Sequence, residues 1–149
     1  MNPIRPARRK DALRAAEILV FCYRLHFYPI FRDDEFYFHE FTVPHVEGLL
    51  RVQGFPGNTL VYDDGAVKGF VTREGEEIRR LFVEPCLQRQ GIGSLLLEAA
   101  VSAGGRRLWA LEKNVRAIRF YERHGFRLTG KSKPEEDTEE RLVELEKPE

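Results

Sequence analysis

Cysteine is scarce in this chain: Cys22 and Cys86 are the only two among 149 residues. One pair makes no disulfide framework, and a chain of this length buries a core without covalent staples. No apolar run approaches the ~20 residues that cross a bilayer, and the start lacks a positive-then-apolar signal pattern. The expectation is a cytoplasmic protein with no membrane partner. Net charge is missing as well: Lys+Arg and Asp+Glu stand at 24 each, so no overall field recruits nucleic acid. His26, His39, His45 and His124 do not stand at metal-ligand spacings with cysteines or acids, and the Glu35/His39 spacing is one such pair alone. No metal site is expected.

What is present is the composition of one globular domain, 42% hydrophobic and 32% charged, without internal repeat or low-complexity linker, so residues 1–149 read as a single domain. The basic start (Arg5, Arg8, Arg9, Lys10) and the acidic stretch beyond Pro134 read as solvated faces. Ile4-Arg5-Pro6 suits an edge strand. From Lys10 onward Ala12, Ala15, Ala16, Leu19 and Tyr23 follow helical spacing, with Pro29 as the expected stop. Residues 31–41 are aromatic and acidic with no clear period. Thr42 and Pro44 open a second helix that reaches about Gln53.

The middle of the chain reads as strand. Thr59 to Tyr62 and Ala66 to Thr72 flank Asp63-Asp64-Gly65, a hairpin signal, and a third strand covers Glu77 to Val83. Ile92, Leu95, Leu96, Ala99 and Ala103 line one helix face that stops at Gly104-Gly105. A strand Arg107 to Leu111, a helix Val115 to His124 capped by Asn114, and strands Phe126 to Leu128 and Arg141 to Leu145 complete an α/β domain with a mixed sheet.

Gln88-Arg89-Gln90-Gly91-Ile92-Gly93-Ser94 lies between a strand and an amphipathic helix. The first N–H groups of a helix lack internal partners and carry partial positive charge, and glycines let a diphosphate approach the backbone. Taken alone, the segment suits an anion cradle or a plain tight turn equally. A Walker loop is excluded by the missing Lys, and the dinucleotide fingerprint fails because Leu96 occupies its third small position. Gln88-x-x-Gly91-x-Gly93 after Leu81-Phe82-Val83-Glu84-Pro85 resembles the acetyl-CoA signature of the GNAT N-acetyltransferases. Leu108 to Asn114, followed by Ala117, Ile118, Phe120-Tyr121 and Gly125-Phe126, resembles that family's other motif.

The resemblance implies a GNAT-type mixed, mostly antiparallel sheet flanked by helices, with splayed central strands. It implies transfer of acetyl from the co-substrate acetyl-CoA to a primary amine, small-molecule or protein, by direct attack in a ternary complex. By the same resemblance, backbone groups near Phe82 and Val83 hold the pantetheine. The segment Gln88, Arg89, Gln90, Gly91, Ile92, Gly93 and Ser94 holds the pyrophosphate, and Asn114 contacts the cofactor besides capping its helix. Tyr121 matches the tyrosine that protonates the departing thiolate, its alternative being ring packing with Ala117 and Ile118. Ungapped reading back from Gln88 makes Glu77 the base, with Glu76, Glu84 and Glu112 as competitors. Tyr23, Phe27, Tyr28 and Phe31 fall where the family binds its acceptor. A homodimer stays open, and so does a second function: a domain that binds acyl-CoA without turnover.

Overall fold

The computed structural model describes residues 2–148. Seven strands form one sheet in the order β1 (Ile4–Pro6), β2 (Thr59–Asp63), β3 (Val67–Glu74), β4 (Glu77–Val83), β5 (Arg107–Leu111), β7 (Arg141–Glu146), β6 (Arg127–Pro134). All neighbours are antiparallel except β4 and β5. Helices α1 (Ala12–His26) and α3 (Val43–Val52) cover one face; α4 (Ile92–Ser102) and α5 (Val115–Arg123) cover the other. Between α1 and α3 lie the short α2 (Tyr28–Phe31) and a wide π-turn, Phe36–Glu40.

Strand alternation divides the core. Phe70 points into the cluster with Ile18, Leu19, Val46 and Leu50, whereas Val71 points to the cluster with Leu96, Leu97, Leu108 and Leu145. Because β3 is buried on both faces, it reads as an apolar run rather than an alternating one. Gly69 is required where α4 crosses β3: a Cβ there would lie 2.9 Å from Leu96 Cδ1 and 2.9 Å from the Phe82 carbonyl oxygen.

Several expectations are corrected. Helix α1 ends at His26, before Pro29, and Pro29 sits in the first turn of α2, where its missing N–H costs nothing. The basic start is not merely solvated: Arg5 grips the buried Asp11 through two hydrogen bonds (2.9 and 3.1 Å) and also pairs with Asp63 at 3.0 Å. This ties the edge strand β1 to the entry of α1 and to the β2–β3 turn. Strand β6 continues to Pro134 rather than stopping at Leu128. Its Thr129-Gly130-Lys131-Ser132-Lys133 run carries no apolar alternation because it is an edge strand, paired to β7 alone and exposed throughout.

Candidate active site

The site begins with a slip in strand pairing. Thr72 pairs with Arg80, but Arg73 pairs with Ile78, so Arg79 is an extra residue bulged out of β4. A bulge bends its strand and sharpens the twist. β4 and β5 meet at one registered pair, Glu77 with Arg107, and diverge beyond it. The phase of the ladder decides which main-chain groups face the gap. Glu84 N–H donates to Lys68 O at 2.9 Å, so Phe82, in the same phase, turns its main chain toward β3. Leu81 and Val83 therefore present their main chains to the wedge, and the Phe82 main chain does not face it. The Val83 carbonyl is already engaged, accepting from the Cys22 thiol at 3.0 Å and from Gln88 Nε2 at 3.1 Å.

Across the wedge mouth runs the turn into α4. Arg89 (φ 69) and Gly91 (φ 85) both adopt the left-handed conformation, the alternation that lets successive N–H groups converge on a concavity. A Cβ on Gly91 would meet nothing within 4 Å, so the space in front of that residue is open. Ile92 is buried in the core and anchors the first turn of α4. Gln90 is exposed. Gly93 lies under the Phe120 ring, its virtual Cβ 3.4 Å from Phe120 Cζ, which brings α5 against the loop. Ser94 Oγ and His124 Nε2 stand 2.9 Å apart and join the same two helices. The Asn114 side-chain oxygen caps α5, accepting from Ala117 N–H at 3.4 Å.

A cleft of about 1320 Å³ runs through the wedge and opens on both faces of the sheet. Tyr121 lines it from α5, its ring packed against Phe120 and Phe126 (centroids 5.3 and 5.9 Å). No described residue hydrogen-bonds the Tyr121 hydroxyl, and burial pushes that phenol up to about 12. Of the acids weighed in the sequence, Glu77 lines the cleft. Glu84 faces away, paired with Arg14 at 3.0 Å, and Glu76 pairs with Arg107 at 3.0 Å. One Glu77 carboxylate oxygen forms an ion pair with Arg79 Nε at 3.1 Å.

On the α1 face Tyr23, Phe27 and Phe31 line the cleft, with Phe41 stacked on Tyr23 (centroids 4.4 Å). Tyr28 does not: its hydroxyl donates to Asp34 and its ring packs on Tyr37 and Phe38. The short α2 turns it outward. Residues without a signal in the sequence also reach the cleft. Among them are Arg80, Lys133 over the Trp109 ring at 4.2 Å, Arg116, Arg119 and Arg123 of α5, and the β6–β7 tip with Glu135, Glu136 and Asp137. The acidic stretch beyond Pro134 is thus a wall of the cleft as well as a solvated face. Nothing local in the sequence marks it, since a hairpin of distant strands brings it there.

The profile of the acetyltransferase (GNAT) domain matches residues 56–128. Over 73 residues the chain is 38% identical to the peptidyl-lysine N-acetyltransferase YjaB of Salmonella typhimurium, covering 48% of this chain and 50% of that protein. Over 84 residues it is 36% identical to an uncharacterized N-acetyltransferase of Methanocaldococcus jannaschii, covering 52% of this chain and 37% of that one. The chain therefore spans half or less of these curated relatives' length. Among solved structures, apo YjaB of Escherichia coli superposes with a TM-score of 0.75 at 23% identity, covering 96% and 95% of the two chains. PaiA N-acetyltransferase of Thermoplasma acidophilum, crystallised with coenzyme A, gives 0.65 at 18%, covering 96% and 97%. The splayed parallel pair, the glycine turn and the domain match point the same way: residues 56–128 match the acetyltransferase (GNAT) domain, and the chain as a whole has the fold of these N-acetyltransferase structures.

Proposed function

We propose that the chain is an acetyl-CoA-dependent N-acetyltransferase in which a primary amine attacks the thioester directly within a ternary complex. The observation that carries this reading is the wedge: two parallel strands joined at Glu77 and Arg107 and open beyond, with the Arg89–Gly91 turn at the mouth and an unpartnered tyrosine hydroxyl inside. The residues fit the co-substrate. The N–H groups from Arg89 to Ser94 meet a pyrophosphate at the start of α4, with Arg89, Gln90, Gly91, Ile92 and Gly93 supplying main-chain donors. Leu81 and Val83 offer strand-edge groups to the pantetheine amides, and Gln88 holds the end of β4 in place. Asn114, its oxygen used in the cap, keeps an amide donor for the cofactor.

Acetyl-CoA supplies an acetyl group activated as a thioester. Tyr121 stays protonated at neutral pH because burial holds its phenol high, so it donates to the sulfur as the thiolate departs. Glu77 keeps one carboxylate oxygen outside its Arg79 pair and takes the ammonium proton through water. Tyr23, Phe27 and Phe31 surround the acceptor, while Tyr28 supports the wall from behind. The relatives named as peptidyl-lysine N-acetyltransferases support an amine acceptor. The domain match begins at residue 56, though, and leaves the α1 and α2 wall outside it.

Mass spectrometry of acetyl-CoA consumption against a panel of amines tests the reading. Acetylated product that forms only with enzyme supports it. Tight acetyl-CoA binding with no product on any amine replaces it with the binding-domain function.

A further inference from the structure

The β4 bulge does more than open the wedge. In an unbroken strand residues 78 and 80 share a face, but the extra residue puts Ile78 in the α4-side core and Arg80 on the α1 side with Phe82. Arg80 therefore lines the cleft on its aromatic side. Its neighbour Arg79 pairs with both Glu74 and Glu77. Arg80 has no carboxylate partner among the described residues, and its one hydrogen bond is to the Gln53 side-chain oxygen. Burial depresses its basicity, and the Tyr23 phenol, not a carboxylate, is the group that offsets it.

Tyr23 lines the same side of the cleft, its ring centroid 5.9 Å from that of Phe82, which shares the Arg80 face of β4, and no described residue hydrogen-bonds the Tyr23 hydroxyl. Burial raises that phenol, which keeps it a donor at neutral pH. A half-buried guanidinium without a counter-ion is costly unless a ligand brings the anion, and its planar fork suits a carboxylate. Glu135 of the β6–β7 tip lines the same cleft from the far edge of the sheet. The α1-side wall thus offers a cation, a neutral donor and aromatic rings with Asp33 among them, and the β6–β7 tip adds further acids.

We infer that the acceptor is an α-amino acid with an apolar side chain, its carboxylate taken by Arg80 and the Tyr23 hydroxyl and its side chain by the rings around Tyr23. This rests on the N-acetyltransferase reading and narrows it. A lysine side chain or a protein N-terminus has no carboxylate beside its amine and leaves Arg80 uncompensated.

The test compares L-phenylalanine, L-leucine and L-methionine with their decarboxylated amines and with a lysine-containing peptide, in wild type, Arg80→Gln, Arg80→Lys and Tyr23→Phe. Product is read by mass spectrometry, and L-phenylalanine binding is read separately by calorimetry with coenzyme A present. Wild type is expected to prefer each amino acid over its amine. In Arg80→Gln that preference collapses by roughly 10- to 100-fold, the range of a lost charged hydrogen bond, and Arg80→Lys restores part of it. A merely structural role for Arg80 lowers both acceptors together and leaves the ratio intact. Amines or the peptide turned over as well as the amino acids, an unchanged ratio in Arg80→Gln, or no L-phenylalanine binding to wild type would each overturn the inference. Arg80-dependent amino-acid binding without acetyl transfer to any acceptor sinks the transferase reading alone.

Discussion

Removing one oxygen atom from Tyr121 separates its chemistry from its packing. The ring lies against Phe120 and Phe126, while the hydroxyl has no hydrogen-bond partner among the described residues. Tyr121→Phe therefore leaves the contacts intact, and its stability should stay within about 0.5 kcal/mol of wild type. The catalytic loss follows from the acidity. With the phenol near 12 and a thiol near ~8.5, complete proton transfer to the thiolate is uphill by roughly 3.5 units, or about 5 kcal/mol. The hydroxyl then acts mainly by hydrogen-bonding the sulfur as charge develops, so the loss belongs at the low end of general-acid effects, about 100-fold in kcat. That corresponds to about 2.7 kcal/mol of barrier. Single-turnover measurement of acetylated product at saturating acetyl-CoA reads this directly, with a thermal melt and the acetyl-CoA Kd as controls. A Tyr121→Phe enzyme that keeps its rate to within a few-fold, or that loses rate only because it no longer binds acetyl-CoA, would refute the assignment.

The other predictions concern stability and reactivity. Asp11 feels burial, which raises its carboxyl, but the Arg5 pair and the Arg8 N–H outweigh it and hold the folded value below the usual range. Its stabilisation is present in full above the unfolded value near ~3.9 and fades as pH falls through the lower folded one. Asp11→Asn should cost about 2 kcal/mol at pH 7, lowering Tm by roughly 4–8 °C. Calorimetry should find the gap to wild type narrowing at acid pH, and a constant gap would count against the pair. Cys22 is buried, donates to Val83 O and has its thiol pushed up to about 12, whereas Cys86 is exposed. Iodoacetamide should thus label Cys86 in the native protein and reach Cys22 only after denaturation, as peptide mass spectrometry can read; equal labelling would be the contrary result.

Much of the sheet was legible because its signals are local. The Asp63–Gly65 turn and the glycine-bounded α4 announce themselves within a few residues. Strand β4 runs over Glu77–Val83 and β5 over Arg107–Leu111, the ranges read from the sequence. Residues 31–41 carry no legible period for an equally local reason. A four-residue helix followed by a π-turn has no constant period, so the aromatics there cannot be sorted by face, and Tyr28, expected at the acceptor, packs on Tyr37 and Phe38 instead. Strand β6 failed on the opposite ground. Exposed along its whole length, it has no buried face to impose an alternation, and its acidic tip became part of the cleft only through pairing with β7.

The β4 bulge belongs to a third category. Bulging is a relation between two strands, and nothing in Glu77-Ile78-Arg79-Arg80-Leu81 states that Arg79 has no partner on β3. An unbroken alternation would set Arg80 beside Ile78 in the apolar core under α4, where a guanidinium is prohibitively costly. The sequence therefore contains a conflict that only a bulge resolves: Ile78 needs the core, Arg80 needs to leave it, and they stand two residues apart. The same resolution bends β4 away from β5. In the proposed function the inserted residue that bends β4 at the pantetheine wedge is thus also the one that turns Arg80 into the aromatic side of the cleft, which couples the two halves of the proposed site. Deleting Arg79 should restore regular alternation with Ile78 still in the α4-side core and Arg80 still on the α1 side, while removing the bend in β4, so acetyl-CoA binding should fail while the fold stays stable. A deletion variant that folds and still binds acetyl-CoA with wild-type affinity would show that the splay has another cause.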